Sequence, residues 1–142
     1  MQKLTSDVLE GAGFQRYEIS NYARPGYESR HNLTYWRRGE YLGLGVAAHS
    51  MMRGERFGNT ASLDDYLRGA RAVTRETLTE RDVYEETVML GLRTREGVDA
   101  ALLPPDKLDQ LARQGLMTVE NGKARVTARG ADVLNAVILA LM

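Results

Sequence analysis

A chain of 142 residues with 19 Lys and Arg against 19 Asp and Glu carries no formal charge, and 43% of its residues are hydrophobic. That length gives one ordinary domain or two small ones with a real core, and the neutral balance argues against a general binder of nucleic acid or of membrane surfaces. Cysteine is absent, which removes disulfides, thiolate catalysis and iron–sulfur or zinc-thiolate ligation by these residues themselves and suits a cytoplasmic protein.

Along the chain, Leu4, Val8, Leu9 and Ala12 lie at helical spacing, and Gly11 and Gly13 stop that helix. The opening is polar and helical rather than a signal peptide, and it reads like the middle of an element, as in a piece of a longer protein. Phe14, Tyr17 and Ile19 predict a short strand, so helix, Gly turn and strand make half of a β/α unit. Residues 20–34 lack periodicity and read as a long loop, of the kind that is functional or mobile. "EYLGLGVAAHS" predicts a buried strand over Tyr41–Val46, with Gly43 and Gly45 where backbone approaches something closely. A hairpin is expected around Gly54.

Composition changes after Thr60. Ser62 caps a helix expected to run to Val73, with Leu63, Tyr66, Leu67 and Ala70 inward. Thr79 and Asp82 form a capping box for a stronger helix striped by Tyr84, Val88 and Leu92, widened by Val83 and Met89. Pro104 and Pro105 start the next helix, which turns Leu108, Leu111 and Ala112 inward. Asn121-Gly122 is the favoured type I′ turn between two short strands. A last helix from about Ala128 buries Val133, Leu134, Val137, Ile138 and Leu141. The longest apolar run, "VLNAVILALM", is about half of what a membrane span needs. The expected architecture is therefore two parts: an α/β, Gly-rich segment over 1–60, and a mainly helical, winged-helix-like domain with a β-hairpin over 61–142.

Four groups of residues bear on chemistry. In "RPGYESRHNLTYW", the His31 imidazole can ligate iron through one nitrogen while an acceptor holds the other, and Tyr35 and Trp36 offer flat surface to a macrocycle. Composition and spacing alone favour an ordinary loop there. "GLGVAAHS" has two glycines but not the G-x-G-x-x-G fingerprint, and His49-Ser50 has neither a third triad partner nor a G-x-S-x-G elbow. Glu18 is a lone acid, expected to pair with Arg16, Arg24, Arg30 or Arg37. The candidate recognition helix 105–114 balances Asp106 and Asp109 against Lys107 and Arg113, so no basic stripe marks a nucleic-acid partner.

Together, "YEISNYARPGYESRHNLTYW", "EYLGLGVAAHS" and "GNTASLDDYL" resemble the oxygen-independent coproporphyrinogen III oxidase-like radical SAM family, and within it the HemW-type heme chaperones. The likeness is dense over 14–66 and looser over 79–142. It implies that 1–60 is the end of a radical SAM β/α barrel and that 61–142 is the appended C-terminal domain. It implies heme binding through H-N-x-x-Y, read here as His31, Asn32 and Tyr35, with His31 on the iron and Gly43 and Gly45 in the closing barrel strand beside the cofactor cavity. His49 is the only other histidine for a second axial position. The [4Fe-4S] cluster and S-adenosylmethionine would belong to a full-length protein only, because the family's C-x₃-C-x₂-C lies upstream of anything present here.

The partners implied are heme or porphyrin, heme-acceptor proteins and the upstream part of the barrel, and an open barrel edge would invite self-association. By the same resemblance the chain alone is not expected to catalyse anything. The alternatives are an oxygen-independent coproporphyrinogen III oxidase, which decarboxylates its porphyrinogen oxidatively, and a winged-helix-like docking module without a ligand.

Overall fold

The computed structural model describes residues 2–142. Its elements run α1 (Gln2–Gly11), β1 (Gln15–Arg16), β2 (Tyr22–Ala23), α2 (Arg30–Trp36), β3 (His49–Met52), β4 (Glu55–Gly58), α3 (Leu63–Leu67) and β5 (Thr74–Thr77). After these come α4 (Glu80–Gly91), β6 (Val98–Asp99), a 3₁₀ turn, α5 (Pro105–Arg113), β7 (Met117–Glu120), β8 (Lys123–Val126), α6 (Ala128–Asp132) and α7 (Leu134–Leu141).

The core lies in the second part. Val88 and Leu92 of α4, Leu108 and Leu111 of α5 and Leu134, Val137, Ile138 and Leu141 of α7 close on Val98, Met117 and Ala124 of a three-stranded sheet ordered β6–β8–β7. Full burial of each large aliphatic chain contributes about 1.5–3 kcal/mol. Local signals agree with this packing. Thr79 and Asp82 form the reciprocal capping box of α4, and Pro105 takes the first turn of α5. Asn121 (φ 52°) and Gly122 (φ 74°) both adopt the left-handed backbone that a type I′ turn demands. Gly130 has no alternative, since a Cβ there would collide with the Leu116 carbonyl.

Several expectations need correction. This second part is a mixed α/β unit rather than a mainly helical one, because β7 and β8 recruit β6 into a sheet and the terminal helix divides at Val133 (φ −123°, ψ 29°). Val133 is consequently 45% exposed and Ala112 faces water. Ser62 does cap a helix, but α3 stops at Leu67 before Gly69, and Leu63 and Leu67 stay exposed. Before α4 the sheets β1–β2 and β3–β4–β5 are antiparallel, the second joining residues from both sides of position 60, and no closed barrel is present among the described residues. The Gly54 hairpin does form, as β3–β4.

Two further differences concern function. Residues 20–34 are not loop throughout, since they contain β2 and most of α2. The segment Tyr41–Val46 is not a buried strand. Only Tyr41 makes a ladder bridge, to Met51, while Leu42 and Leu44 are 61% and 84% exposed. A short apolar run fits several environments, and here its backbone is held by polar side chains rather than by a neighbouring strand.

The first part rests on the second mainly through polar contacts. Arg95 N–H donates to the Tyr17 carbonyl at 2.9 Å, Glu18 bridges Thr94, and Ile19 packs at the edge of the core. Arg38 Nε donates to Glu86 of α4 at 2.9 Å, Arg56 reaches the other Glu86 oxygen, and Arg37 pairs with Glu96.

Candidate functional site

Helix α2 exists because Ser29 precedes it as a cap. Ser29 is extended (φ −63°, ψ 108°), and its Oγ accepts the Asn32 N–H at 3.3 Å. The helix is closed at its other end by Arg38 in left-handed backbone (φ 53°) and by the Gly39 N–H donating to the Thr34 carbonyl at 2.7 Å. The i, i+4 spacing then stacks His31 on Tyr35, with ring centroids 4.9 Å apart and planes at 88°. Tyr35 in turn meets Tyr41 at 4.6 Å and 71°. The His31 ring is exposed, and none of the described residues hydrogen-bonds to it. Asn32 turns inward, its amide donating to the hydroxyl of buried Tyr17 at 3.4 Å. Of the expected trio, His31 and Tyr35 thus form one surface with Tyr41, and Asn32 anchors the helix behind them.

Gly43 and Gly45 sit on the segment that leaves Tyr41. Gly43 N–H donates to Ser50 Oγ at 3.0 Å, Gly45 N–H donates to the Tyr66 hydroxyl at 3.1 Å, and the Asn59 amide donates to the Gly45 carbonyl at 2.9 Å. A Cβ on Gly43 would collide with the His49 carbonyl, and Gly45 (φ 109°) and Ala47 (φ 55°) are both left-handed. Close backbone approach is therefore the reason for Gly43, as its spacing suggested. What reading the sequence missed is the set of anchors. Ser50, Asn59 and Tyr66 lie 7 to 21 residues away from the backbone groups they hold, and no local pattern connects them. His49 is exposed on β3, packed beside Gly58.

The two cations at the C-terminal end of α2, Arg37 and Arg38, are paired. Glu86 sits below the ordinary glutamate range. Partial burial pushes its carboxyl up, and hydrogen bonds from Arg56 and Arg38 outweigh that push. Glu96 is lowered by the hydrogen bond from Arg37, against a smaller desolvation effect. Arg37 and Arg38 at the C-terminal end of α2 are thereby tied to the second part of the molecule, and they fix where the His31 face lies. Glu18 does not follow its expectation: Arg16 Nε donates to the Glu18 backbone carbonyl at 3.3 Å, and the side-chain Oε1 finds no partner among the described residues.

With this geometry in hand, the comparisons are specific. The HemN C-terminal domain family matches residues 78–133. The heme chaperone HemW of Lactococcus lactis is 30% identical over 96% of this chain, and that of Synechocystis is 42% identical over 69% of it. The chain belongs to the HemN/HemW family. A mitochondrial radical S-adenosyl methionine domain-containing protein of Bos taurus is 32% identical over 95% of the chain. Among solved structures, the coproporphyrinogen III oxidase HemN of Escherichia coli, described as a radical SAM enzyme, shares the fold. Its TM-score is 0.71 at 20% identity, over 99% of this chain and 39% of that one. The chain spans 40% or less of these three curated relatives' length. None of the helices among the described residues is long and apolar enough to cross a membrane.

Proposed function

We propose that this chain is the heme-receiving portion of a HemW-like heme chaperone, with His31 as an axial ligand to the heme iron and acceptor proteins as the destination of the heme. The observation that carries the reading is the state of His31: an exposed imidazole, free of hydrogen bonds to the described residues and edge-on to Tyr35, which itself touches Tyr41. Both ring nitrogens are open to a ligand, and a neutral imidazole nitrogen is a good donor to iron. The aromatic edge and the exposed side chains of Leu42, Leu44 and Val46 beyond Tyr41 offer apolar surface to a macrocycle. An open surface of this kind suits cargo that must be handed on. Asn32, held on Tyr17, positions the helix, and Gly43 and Gly45 let the 42–47 segment run close to β3.

Residues 1–60 are read as the end of the family's barrel and 61–142 as its C-terminal domain, whose α5–hairpin–α6 order resembles a winged helix. The rest of the barrel would then be a partner of this chain, in the cytoplasm. The chain holds no cysteine, so thiolates for a [4Fe-4S] cluster, and the S-adenosylmethionine bound with it, would belong to polypeptide outside these residues. The names of the relatives HemW and HemN suggest both heme handling and porphyrinogen oxidation, and the exposed His31 favours the first.

Titration of hemin into the chain tests this. The Soret band is expected to shift and sharpen with the native sequence. In His31→Ala the affinity is expected to fall at least tenfold, about 1.4 kcal/mol. Identical spectra for both proteins would remove His31 as the ligand.

A further inference from the structure

Glu18 is 2% exposed, yet its Oε1 has no hydrogen-bond partner among the described residues. A buried polar atom without a partner costs about 1–3 kcal/mol or more, so native proteins rarely leave one without an occupant or a role. Glu18 lines a cleft of about 530 Å³ between α1, the Arg93–Arg95 turn after α4, and α6.

The lining identifies the chemistry of an occupant. Asp7, Glu10 and Asp132 join Glu18 around the cleft. The arginines of the same lining bond to neutral acceptors and none of them to Glu18 Oε1: Arg93 donates to the Met89 carbonyl and to Asn135, Arg95 to Gln15, and Arg16 to the Glu18 backbone. Thr94, which bridges Glu18 through the backbone, spends its hydroxyl proton on the Gly91 carbonyl at 2.8 Å. The lining carries four carboxylates against the three guanidiniums of Arg16, Arg93 and Arg95, so its formal charge favours a cation over an anion. Among the described residues no group of three or more His, Cys, Asp or Glu could hold a metal ion. What remains is an N–H donor with positive charge. The neighbouring Leu92, Val126 and Leu134 add an apolar wall beside the acids.

We propose that this cleft is a binding site for an organic cation, an ammonium or guanidinium head on a short apolar body, with its N–H donating to Glu18 Oε1. It is separate from the His31 surface and does not depend on heme binding. The same head could be carried by a free amine or by a Lys or Arg side chain of another polypeptide.

The test is a titration of the isotopically labelled chain, followed through its amide resonances, with butylammonium and butylguanidinium as probes and 1-pentanol as the neutral control. Saturable shifts are expected at Glu18, Leu92, Thr94 and Leu134 with the cations and none with the alcohol. Glu18→Gln is expected to weaken binding at least tenfold. Ala131→Leu, which fills the cleft from the α6 side and leaves the carboxyl in place, is expected to abolish it while the spectrum keeps its native dispersion. A parallel titration with N-acetyl-arginine methylamide separates the sources. Binding as tight as butylguanidinium assigns the site to a polypeptide side chain, and binding tenfold weaker assigns it to a free molecule. Absence of saturable shifts up to about 100 mM of either cation, or equal binding by native chain and Ala131→Leu, would overturn the proposal.

Discussion

The two parts of this molecule are held together by different physics. Beyond residue 80, helices α4, α5 and α7 share one apolar cluster with the β6–β8–β7 sheet, and Leu92, Met117 and Leu141 are each at most 1% exposed. Before it, the buried hydrophobic residues are Tyr17 and Ala23, the other buried residues are Gly58 and the polar Glu18, Ser50 and Thr60, and α2 contains no buried residue. There the shape is kept by caps, ion pairs and side chains that hold backbone. Stability therefore resides in one part and the candidate heme surface in the other. That division suits the proposed uptake and release of heme, because regions with few buried contacts can rearrange at low cost.

The sharpest way to break this comparison is to truncate leucines on both sides. Leu92→Ala removes a side chain that is 1% exposed in the shared cluster, and it is expected to lower unfolding stability by about 2–5 kcal/mol. Leu44→Ala removes one that is 84% exposed, and it is expected to change stability by less than about 0.5 kcal/mol. Urea unfolding of the two variants checks this. Comparable losses would mean that the first part has a core of its own.

Glu86 is the joint between the parts, and it gives the next largest effect. Its carboxylate takes Arg38 from the first part and Arg56 of β4, with only 19% of the side chain exposed. Glu86→Gln leaves Arg38 without its anion and Arg56 with only Glu76, and is expected to cost about 1–3 kcal/mol. The pH dependence follows from the lowered folded-state value of Glu86. A carboxyl held below its unfolded value contributes stability that is present above the unfolded value, about 4.3. That stability is lost as pH falls through the folded value. The gap between native chain and Glu86→Gln is therefore expected to be full at pH 6–7 and to close below about pH 4. Chemical unfolding at a series of pH values reads it. A gap that persists unchanged at pH 3 would mean that the substitution acts through packing. Arg37–Glu96, with both side chains more than half exposed, is expected to matter less and to fade in high salt.

The same division explains what could be read from the residues in order. The second part is built of local signals that reinforce one another: the Thr79–Asp82 box, Pro105 at a helix start, Asn121-Gly122, and a stripe of Val88 and Leu92. All of these fold as their spacing implies. Where the spacing misleads in this part, at Val83, Val133 and Ala112, the cause is the helix break at Val133 and, for the other two, the narrowness of the buried faces. In the first part, the H-N-x-x-Y residues stood out by resemblance, but their helix did not, although Ser29 three residues before Asn32 was a capping signal in plain view. The course of 41–47 was beyond reach. It depends on Ser50, Asn59 and Tyr66, and pairwise contacts over such separations leave no periodic trace.

The smallest effect tests whether α2 is poised as weakly as this comparison implies. A helix of seven residues is too short to persist on its own, and α2 buries nothing. Its geometry hangs on Ser29, the Asn32–Tyr17 hydrogen bond, the pairs made by Arg37 and Arg38, and the Tyr35–Tyr41 contact. Ser29→Ala removes one of these and is expected to cost about 0.5–1 kcal/mol, confined to the helix. Global unfolding should hardly move, because the cluster around Leu92 does not feel α2. Amide exchange should report the change instead, with faster exchange at Leu33, which donates to the Ser29 carbonyl, and at Arg37, which donates to the Leu33 carbonyl. Hemin affinity should fall two- to fivefold, about 0.4–1 kcal/mol by the usual conversion, since the His31–Tyr35 face is then formed for a smaller fraction of the time. Faster exchange with unchanged hemin affinity would separate helix order from ligand binding, and it would shift the iron contact away from this face.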